Sequence, residues 1–238
     1  MSKHDVRWHA SVPSTMDVAA ALASEGAPHG VVVAAECQTA GRGRRGATWV
    51  SPPGAGLYFS FIAKPLDSSL PLLTLSAGVA VREGIATASG LQADLKWPND
   101  LLIGKRKLAG ILAEGLAIGS PKQAVIVGVG INVQLATYPA DVAARATSIE
   151  GELGRSVDRD VLLAAILDAL SQRLAGLDQN ADGILHAWRT ASPSAVGTRV
   201  DWDGHRGVTA GIDDTGALLV KTSSGVERII AGELHWNL

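Results

Sequence analysis

Hydrophobic and polar positions in the first third of the chain alternate between helical and strand-like spacing. A capping-box sequence opens an alanine-rich stretch, which predicts a helix over 15–25. The β-branched run at 31–36 and the apolar run at 57–62 predict buried strands. Apolar residues at helical spacing over 72–89, stopped by Gly90, predict a second helix. Strands and helices therefore alternate in this part of the chain.

The pattern changes to a run of strands in the middle of the chain. Strands separated by short turns are predicted at 94–97, 101–103, 108–116 and 124–130. This succession is typical of an antiparallel meander. Two helices follow it: an amphipathic one over 158–177, with Asp158 in the capping position, and a second that extends through Trp188.

The last part of the chain has a strand pattern of its own after Pro193. Turn residues divide it into short strands near 198–202, 206–212, 217–222 and 226–230. We interpret these strands as a small β-barrel that follows a larger core, and we place the division between residues 1–191 and 192–238. The predicted fold class is α+β, with a mixed, largely antiparallel sheet flanked by helices.

Composition limits the classes of function. The 238 residues are 47% hydrophobic and 18% charged, which predicts a packed globular protein. The formal net charge of −2 provides no overall basic field to attract DNA or a membrane surface. No apolar run approaches the roughly 18 to 20 residues that span a bilayer. A single cysteine, Cys37, and an N-terminus without a signal-peptide pattern favour a cytoplasmic protein.

The most distinctive candidate site is the segment 41–46 (GRGRRG). It formally matches a dinucleotide-binding glycine motif, but Pro52 and Pro53 exclude the helix that such a motif needs. A Walker-type phosphate loop is excluded because Ala47 stands where its lysine should be. Three interpretations stay open: arginines that bind phosphate through bidentate hydrogen bonds, a solvated loop, and a nonspecific nucleic-acid patch.

Two further segments carry candidate chemistry. Residues 96–100 (KWPND) combine a lysine, an aromatic ring and a carboxylate at one strand end, and Lys107 follows at the start of another strand. Such a cluster could hold a phosphate and a metal ion, or it could simply shape a turn. Residues 128–132 (GVGIN) combine glycines that permit close approach of a flat ligand with Asn132, whose amide suits an adenine edge. The alternative is a strand that ends in an ordinary turn.

Taken together, these segments resemble the biotin protein ligases of the BirA and holocarboxylase synthetase type. The resemblance rests on 41–46 with Trp49, on 96–100, on 107–112 (KLAGIL) with Glu114, and on 128–132, in the order found in that family. It covers nearly the whole chain. It implies a catalytic core like that of class II aminoacyl-tRNA synthetases and biotin/lipoate ligases, followed by an SH3-like β-barrel.

The resemblance implies a reaction in two steps. Biotin and MgATP would form biotinyl-5'-AMP and pyrophosphate, and a lysine of a biotin carboxyl carrier protein domain would then attack the adenylate. The residues that match the family's catalytic positions are Lys107, Arg44, Asp100 and Arg42. Lys107 and the loop arginines would screen carboxylate and phosphate charge, and Asp100 would ligate Mg²⁺ or orient the incoming amine.

The same resemblance implies ligand contacts. Residues matched to biotin contacts are Ser14, Thr15, Gln38, Gly41, Arg42, Lys107, Gly110 and Leu112. Residues matched to ATP or adenylate contacts are Arg42, Arg44, Arg45, Trp49, Lys96, Asn99, Asp100, Lys107 and Asn132. Trp49 would stack over the bound ligand. The chain departs from the family at Met16, where many members have asparagine, and at Ala47, where some have a basic residue.

The sequence leaves two alternative functions open and predicts several absences. The nearest enzymatic alternative is a lipoate or octanoate protein ligase, and the other is a catalytically silent protein that binds a ligand or a carrier. The short segment before Ser14 leads us to expect a monofunctional ligase with no DNA partner and no repressor activity. The histidines lack paired ligand spacing, so no structural metal is predicted. A monomer and a homodimer both remain open.

Overall fold

A seven-stranded sheet is the central element of the fold. The computed structural model describes residues 4–64, 70–136, 138–232 and 234–237. The strands of this sheet are β1 (Val6–His9), β2 (Val32–Ala35), β3 (Gly56–Ala63), β4 (Asp94–Lys96), β5 (Asp100–Ile103), β6 (Arg106–Leu116) and β7 (Ala124–Asn132). Their order is β1-β2-β3-β7-β6-β5-β4. β1 and β2 run parallel and the other neighbours antiparallel, so the predicted mixed sheet is confirmed.

The strand pattern of the sequence accounts for most of this sheet. The antiparallel meander predicted in the middle of the chain is confirmed as β4 to β7. β1 was not predicted, because its four residues (VRWH) contain no apolar run and are half-buried or exposed. It pairs in register with β2 from Val6 opposite Val32 onward, at the edge of the sheet.

Helices cover both faces of the sheet. Their bounds are α1 (Thr15–Ser24), α2 (Leu70–Ser89), α3 (Ala140–Ala143), α4 (Ile149–Leu153), α5 (Arg159–Ala175) and α6 (Ala181–Thr190). The predictions of α1, α2, α5 and α6 are confirmed, whereas the short helices α3 and α4 were not predicted. The Ser14 hydroxyl caps α1 by accepting a hydrogen bond from the backbone N–H of Met16 at 3.3 Å. None of the helices in the described ranges is long and apolar enough to cross a membrane.

Two hydrophobic cores form on opposite faces of the sheet. On one face, helices α2 and α5 pack against the strands that carry Ile111 and Phe59, and α6 packs on α2. On the other face, α1 packs Met16 against Val33 and Ile62. Because successive strand residues point to opposite faces, a strand covered on both sides is apolar throughout. This explains why β2 and β3 read as continuous apolar runs in the sequence.

The C-terminal part of the chain is a second sheet with antiparallel strands. They are β8 (Val196–Trp202), β9 (His205–Ile212), β10 (Leu218–Thr222), β11 (Gly225–Ile229) and β12 (His235–Trp236), in the order β11-β10-β9-β8-β12. Strands β8 to β11 match the predicted ones, and the two-residue β12 was not predicted. The indole Nε1 of Trp97 donates to the carbonyl oxygen of Gly216 at 3.0 Å, which ties this sheet to the turn after β4. The division between residues 191 and 192 stays a prediction.

Candidate active site

A cavity of about 900 Å³ lies where the central sheet, the arginine-rich loop and the C-terminal sheet meet. Its lining includes sequence-predicted residues Ser14, Thr15, Gln38, Arg42, Arg44, Arg45, Trp49, Lys96, Asn99, Asp100, Lys107, Gly110, Leu112 and Asn132. Gly41 is not part of this lining. It is buried beneath the loop, where a Cβ atom would clash with the carbonyl oxygen of Trp49. This close approach of the Trp49 carbonyl oxygen explains why the position needs a glycine, and a contact between Gly41 and biotin stays a prediction.

The floor of the cavity is a strip of glycines on β6 and β7. Gly110 and Gly130 lie opposite each other in the two strands, and the indole of Trp49 lies on both of them. A Cβ atom at Gly128 would lie 2.7 Å from Sδ of Met16, so Met16 covers that end of the strip. In this structure, the flat group that covers these glycines is therefore the Trp49 indole of the protein itself. Nε1 of Trp49 is buried and has no hydrogen-bond partner among the described residues.

A network of neutral polar side chains forms one end of the cavity. Oε1 of Gln38 accepts from the backbone N–H of Thr15 at 2.9 Å, and the Thr15 hydroxyl lies 2.8 Å from that of Ser60. Nε2 of Gln38 donates to the Ser51 hydroxyl at 3.0 Å. Sequence reasoning found Ser14, Thr15 and Gln38 but missed Ser60 and Ser51. The available signal for Ser60 was a hydroxyl inside the otherwise apolar run of β3, where a buried polar group requires a partner.

A carboxylate between two ammonium groups lies at the centre of the cavity. Nζ of Lys107 is 2.6 Å from Oδ1 of Asp100, and Nζ of Lys96 is 3.5 Å from Oδ2 of the same side chain. The Lys107 ammonium also lies over the Trp49 ring, 5.4 Å from its centroid. The side chain of Asp100 is only 17% exposed, so its two oxygens are held mainly by these cations.

The arginines of the loop do not share one partner. Nη2 of Arg42 forms ion pairs with Asp17 at 3.0 Å and with Glu114 at 3.1 Å. Nη1 of Arg44 points to the other side of the cavity and donates to Oδ1 of Asn99 at 3.3 Å. Arg45 is exposed and adopts a left-handed backbone with φ of +54°. The loop thus directs two guanidinium groups to separate parts of the protein, Arg42 to Asp17 and Glu114 and Arg44 to Asn99.

Asn132 lines the cavity, but its amide is already used within the protein. Nδ2 donates to the carbonyl oxygens of Lys107 at 3.3 Å and Thr147 at 3.0 Å. Oδ1 accepts from the hydroxyl of Tyr138 at 3.3 Å. Burial raises the pKa of Tyr138, so this hydroxyl stays a donor even above the pH at which an exposed tyrosine ionises. An adenine contact through Nδ2 would break an existing hydrogen bond, because both of its donors are engaged.

Comparison with known proteins assigns the chain to a family. The model of the biotin/lipoate A/B protein ligase family matches residues 8–132, more than half of the chain. The chain belongs to this family. A second model, of the biotin protein ligase C-terminal domain, matches residues 206–234 in the second sheet. The resemblance identified from the sequence is confirmed.

Similar proteins of known function and similar solved structures also support membership of this family. The bifunctional ligase/repressor BirA of Bacillus subtilis is 36% identical over 245 residues, which cover 99% of this chain and 74% of that protein. The biotin–acetyl-CoA-carboxylase ligase of Paracoccus denitrificans is 36% identical over 86% of this chain and 89% of its own length. Among solved structures, a biotin protein ligase from Aquifex aeolicus in complex with biotin and ATP superposes with a TM-score of 0.84 at 29% identity, covering 99% of both chains. The predicted α+β fold is confirmed by this likeness.

Proposed function

We propose that this protein is an ATP-dependent ligase that activates biotin as biotinyl-5'-AMP and transfers the biotinyl group to a lysine of a biotin carboxyl carrier protein domain. The observation that carries the proposal is the meeting of Lys107, Lys96 and Asp100 in a cavity that an arginine-rich loop borders. Cations held in a fixed arrangement suit the joining of a carboxylate to a phosphate. The relatives named for biotin favour biotin over lipoate as the acid.

The first step joins two anions. A carboxylate oxygen of biotin attacks the α-phosphorus of ATP, and the bond from that phosphorus to the pyrophosphate oxygen breaks. We assign to Lys107 and Arg44 the role of stabilising the negative charge that develops on the phosphoryl oxygens. The side chain of Lys107 is 36% exposed, so its ammonium can approach a ligand while still touching Asp100. Charge stabilisation of this kind is usually the largest catalytic contribution.

The second step transfers the acyl group to an amine. The ε-amine of the carrier lysine attacks the acyl carbon of the adenylate, AMP leaves with the phosphate oxygen, and the attacking nitrogen loses a proton. Asp100 is the only carboxylate among the described residues that line the cavity. We therefore assign to Asp100 the orientation of the incoming amine, and the proton that the nitrogen loses passes to solvent.

The polar end of the cavity fits the head of biotin. A ureido ring presents N–H donors and a carbonyl acceptor, and the hydroxyls of Ser14 and Thr15 and the amide of Gln38 supply complementary groups. We place the biotin ring against these residues, with Gly110 and Leu112 of β6 beneath it. Gly41 would support the loop, and its contact with biotin stays a prediction.

The loop and the turn after β4 fit the adenylate. We assign Arg42, Arg44, Arg45 and Trp49 to closure over the bound nucleotide, Lys96 and Asn99 to its phosphate side, and Asn132 to the adenine side. Arg42 is paired with Asp17 and Glu114 in the present arrangement, so contact with a ligand requires an exchange of partners. The Trp49 indole must likewise leave the glycine floor or slide along it for a ligand to enter.

The protein residues do not fit a magnesium site of their own. Both oxygens of Asp100 contact ammonium groups, whereas Mg²⁺ requires oxygen ligands in near-octahedral geometry. Among the described residues, no group of three or more His, Cys, Asp or Glu side chains lies close enough to hold a metal. The prediction that Asp100 ligates Mg²⁺ therefore lacks support from this arrangement. We expect any Mg²⁺ to enter with the phosphates of ATP, and no step is assigned to it.

The partner and setting of the reaction remain proposals from the sequence. We propose that the acceptor is the carrier domain of a biotin-dependent carboxylase and that the protein works in the cytoplasm. A monomer and a homodimer are both compatible with this function.

The decisive experiment is ATP–pyrophosphate exchange by the purified protein. Biotin, lipoate, octanoate or no acid is supplied with MgATP and labelled pyrophosphate, and exchange is expected with biotin alone. Exchange with lipoate or octanoate would instead assign the protein to the other branch of the family. Biotin binding by calorimetry without any exchange would identify a silent binding protein and contradict the proposal.

A further inference from the structure

The C-terminal sheet contributes an aromatic side chain to the candidate active site. Trp236 lies in β12, which pairs with β8 through Asp201 and Val200. Its ring centroid is 5.8 Å from Nζ of Lys96, within the range of a cation–π interaction. The indole is half-buried and packs against the main hydrophobic core. Trp236 therefore holds a defined position next to the turn after β4.

Lys96 is the more loosely held of the two cations that flank Asp100. Its Nζ atom is 3.5 Å from the carboxylate, compared with 2.6 Å for Lys107. A lysine ammonium is a compact charge on a flexible four-carbon chain, so one long ion pair does not fix its direction. The Trp236 ring supplies the second contact that restrains it. Trp236, Lys96, Asp100, Lys107 and Trp49 thus form a continuous chain of contacts across the cavity.

We propose that Trp236 is a positioning residue for the adenylation centre. By keeping the Lys96 ammonium on the Oδ2 side of Asp100, the indole leaves Oδ1 directed at Lys107. This inference rests on the proposed ligase function and gives the C-terminal sheet a role in the chemistry. Without the indole, the Lys96 side chain is free to turn into solvent, and the carboxylate loses one of its two cations.

A double-mutant cycle between Trp236 and Lys96 tests the proposal. Trp236→Leu, Trp236→Phe, Lys96→Met and the Trp236→Leu/Lys96→Met double variant are compared by biotin-dependent ATP–pyrophosphate exchange. We expect Trp236→Leu to lower kcat/KM for ATP by about two- to thirty-fold, the range of one cation–π contact, and Trp236→Phe to retain part of the activity. In the Lys96→Met background, Trp236→Leu should cause little further loss.

Trp202 provides the matched control. It is buried at 8% exposure in β8 of the same sheet, where its ring stacks on His205 at 5.7 Å between centroids. Trp202→Leu should destabilise the sheet but leave exchange per folded molecule nearly unchanged. Equal losses for Trp202→Leu and Trp236→Leu, or an equal effect of Trp236→Leu with and without Lys96, would reduce Trp236 to a stabilising residue and overturn the proposal.

A readout that does not need turnover separates this inference from the proposed function. The Hε protons of Lys96, identified in NMR spectra with the Lys96→Met variant, should be shifted upfield by the ring current of Trp236. The shift should disappear in Trp236→Leu and persist in Trp202→Leu. Absence of exchange in the wild-type protein would contradict the ligase function, whereas absence of the shift would contradict the contact on which the positioning role depends.

Discussion

The Nζ atom of Lys107 lies 2.6 Å from Oδ1 of Asp100, although the two residues are not opposite each other in β5 and β6. Asp100 is paired with Gly110, and the register shifts so that Leu102 is paired with Lys107. This β-bulge brings the Lys107 side chain onto the face of the sheet that Gly110 opens, where its Cε would be 3.1 Å from a Cβ at that glycine. A local irregularity of one strand thus creates the charged centre of the cavity.

Removal of the Lys107 ammonium should slow adenylation more than any other single change at the bulge. We expect Lys107→Ala to lower the rate of adenylate formation by about 10²- to 10³-fold, the usual effect of losing one preorganised donor. Single-turnover formation of labelled biotinyl-5'-AMP measures it. Lys122→Ala, at an exposed lysine in the turn between β6 and β7, is the control and should behave as the wild type. An unchanged single-turnover rate in Lys107→Ala would refute the assignment.

The arginine-rich loop should become resistant to trypsin when the adenylate is bound. Arg42 and Arg45 are exposed in the present structure, and closure over a ligand would remove them from solvent. We expect cleavage within residues 42–45 to slow when biotin and ATP are added together. Arg206, whose side chain is 89% exposed in the C-terminal sheet, supplies an internal control site that should be cleaved at the same rate. Equal protection at both sites would show a global effect rather than loop closure.

Replacement of Arg44 should release the reactive intermediate. Nη1 of Arg44 donates to Asn99 across the cavity, so the side chain holds the loop to the opposite wall. We expect Arg44→Gly to let biotinyl-5'-AMP diffuse into solvent and to biotinylate lysines of an unrelated protein. Blotting of that protein with labelled streptavidin measures the leak, with wild-type enzyme and a reaction without ATP as controls. Labelling confined to the carrier in the variant would contradict this role.

The sequence predicts the elements of the fold better than it predicts their contacts. Periodicity located α1, α2, α5 and α6, because an amphipathic or apolar repeat over ten or more residues has one main interpretation. It could not locate β1, whose four residues (VRWH) contain no apolar run, or β12, which has only two residues. Nor could it show the bulge in β6, where Leu108 and Ala109 are both fully buried and strict alternation fails.

The same limit applies to the candidate site. Lys107, Asp100 and the loop arginines could be identified from the sequence, because they are charged residues in or next to the distinctive segments 41–46 and 96–100. The partners Ser60 and Trp236 were missed, because each is an ordinary residue until the fold brings Ser60 beneath Thr15 and Trp236 to the cavity. Long-range pairing of single side chains leaves no periodic signal in a sequence, so only the tertiary structure reveals it.

The packing of α2 on α5 gives a prediction about stability. A Cβ atom at Gly84 would lie 2.5 Å from Cα of Ile166, so Gly84→Ala must push the helices apart. We expect the free energy of unfolding to fall by about 1–3 kcal/mol, as overpacking usually costs. Gly78, in the same helix, has its nearest atom at 3.5 Å, and Gly78→Ala should leave stability unchanged or raise it by up to about 1 kcal/mol. Urea unfolding of both variants measures the difference, and equal midpoints would contradict the close contact.

A carboxylate in the C-terminal sheet should make stability depend on pH. Burial alone would raise the pKa of Asp213, but hydrogen bonds from Arg228, Thr215 and the backbone N–H of Ala217 outweigh it and lower the pKa from 3.8 to about 2. Because the folded-state pKa is below the unfolded one, the stabilising effect is complete above about pH 5 and is lost as the pH falls towards 2.

The measurement for Asp213 is the urea midpoint of the wild type and of Asp213→Asn as a function of pH. The wild type should be the more stable protein at pH 7, and the difference should shrink as the pH falls from about 4 towards 2, because protonation abolishes the charge that the variant already lacks. Asp214→Asn is the matched control, since the neighbouring side chain is 98% exposed and its replacement should give a small, pH-independent difference. A difference for Asp213→Asn that stays constant down to pH 2 would mean that its hydrogen bonds stabilise the turn regardless of charge.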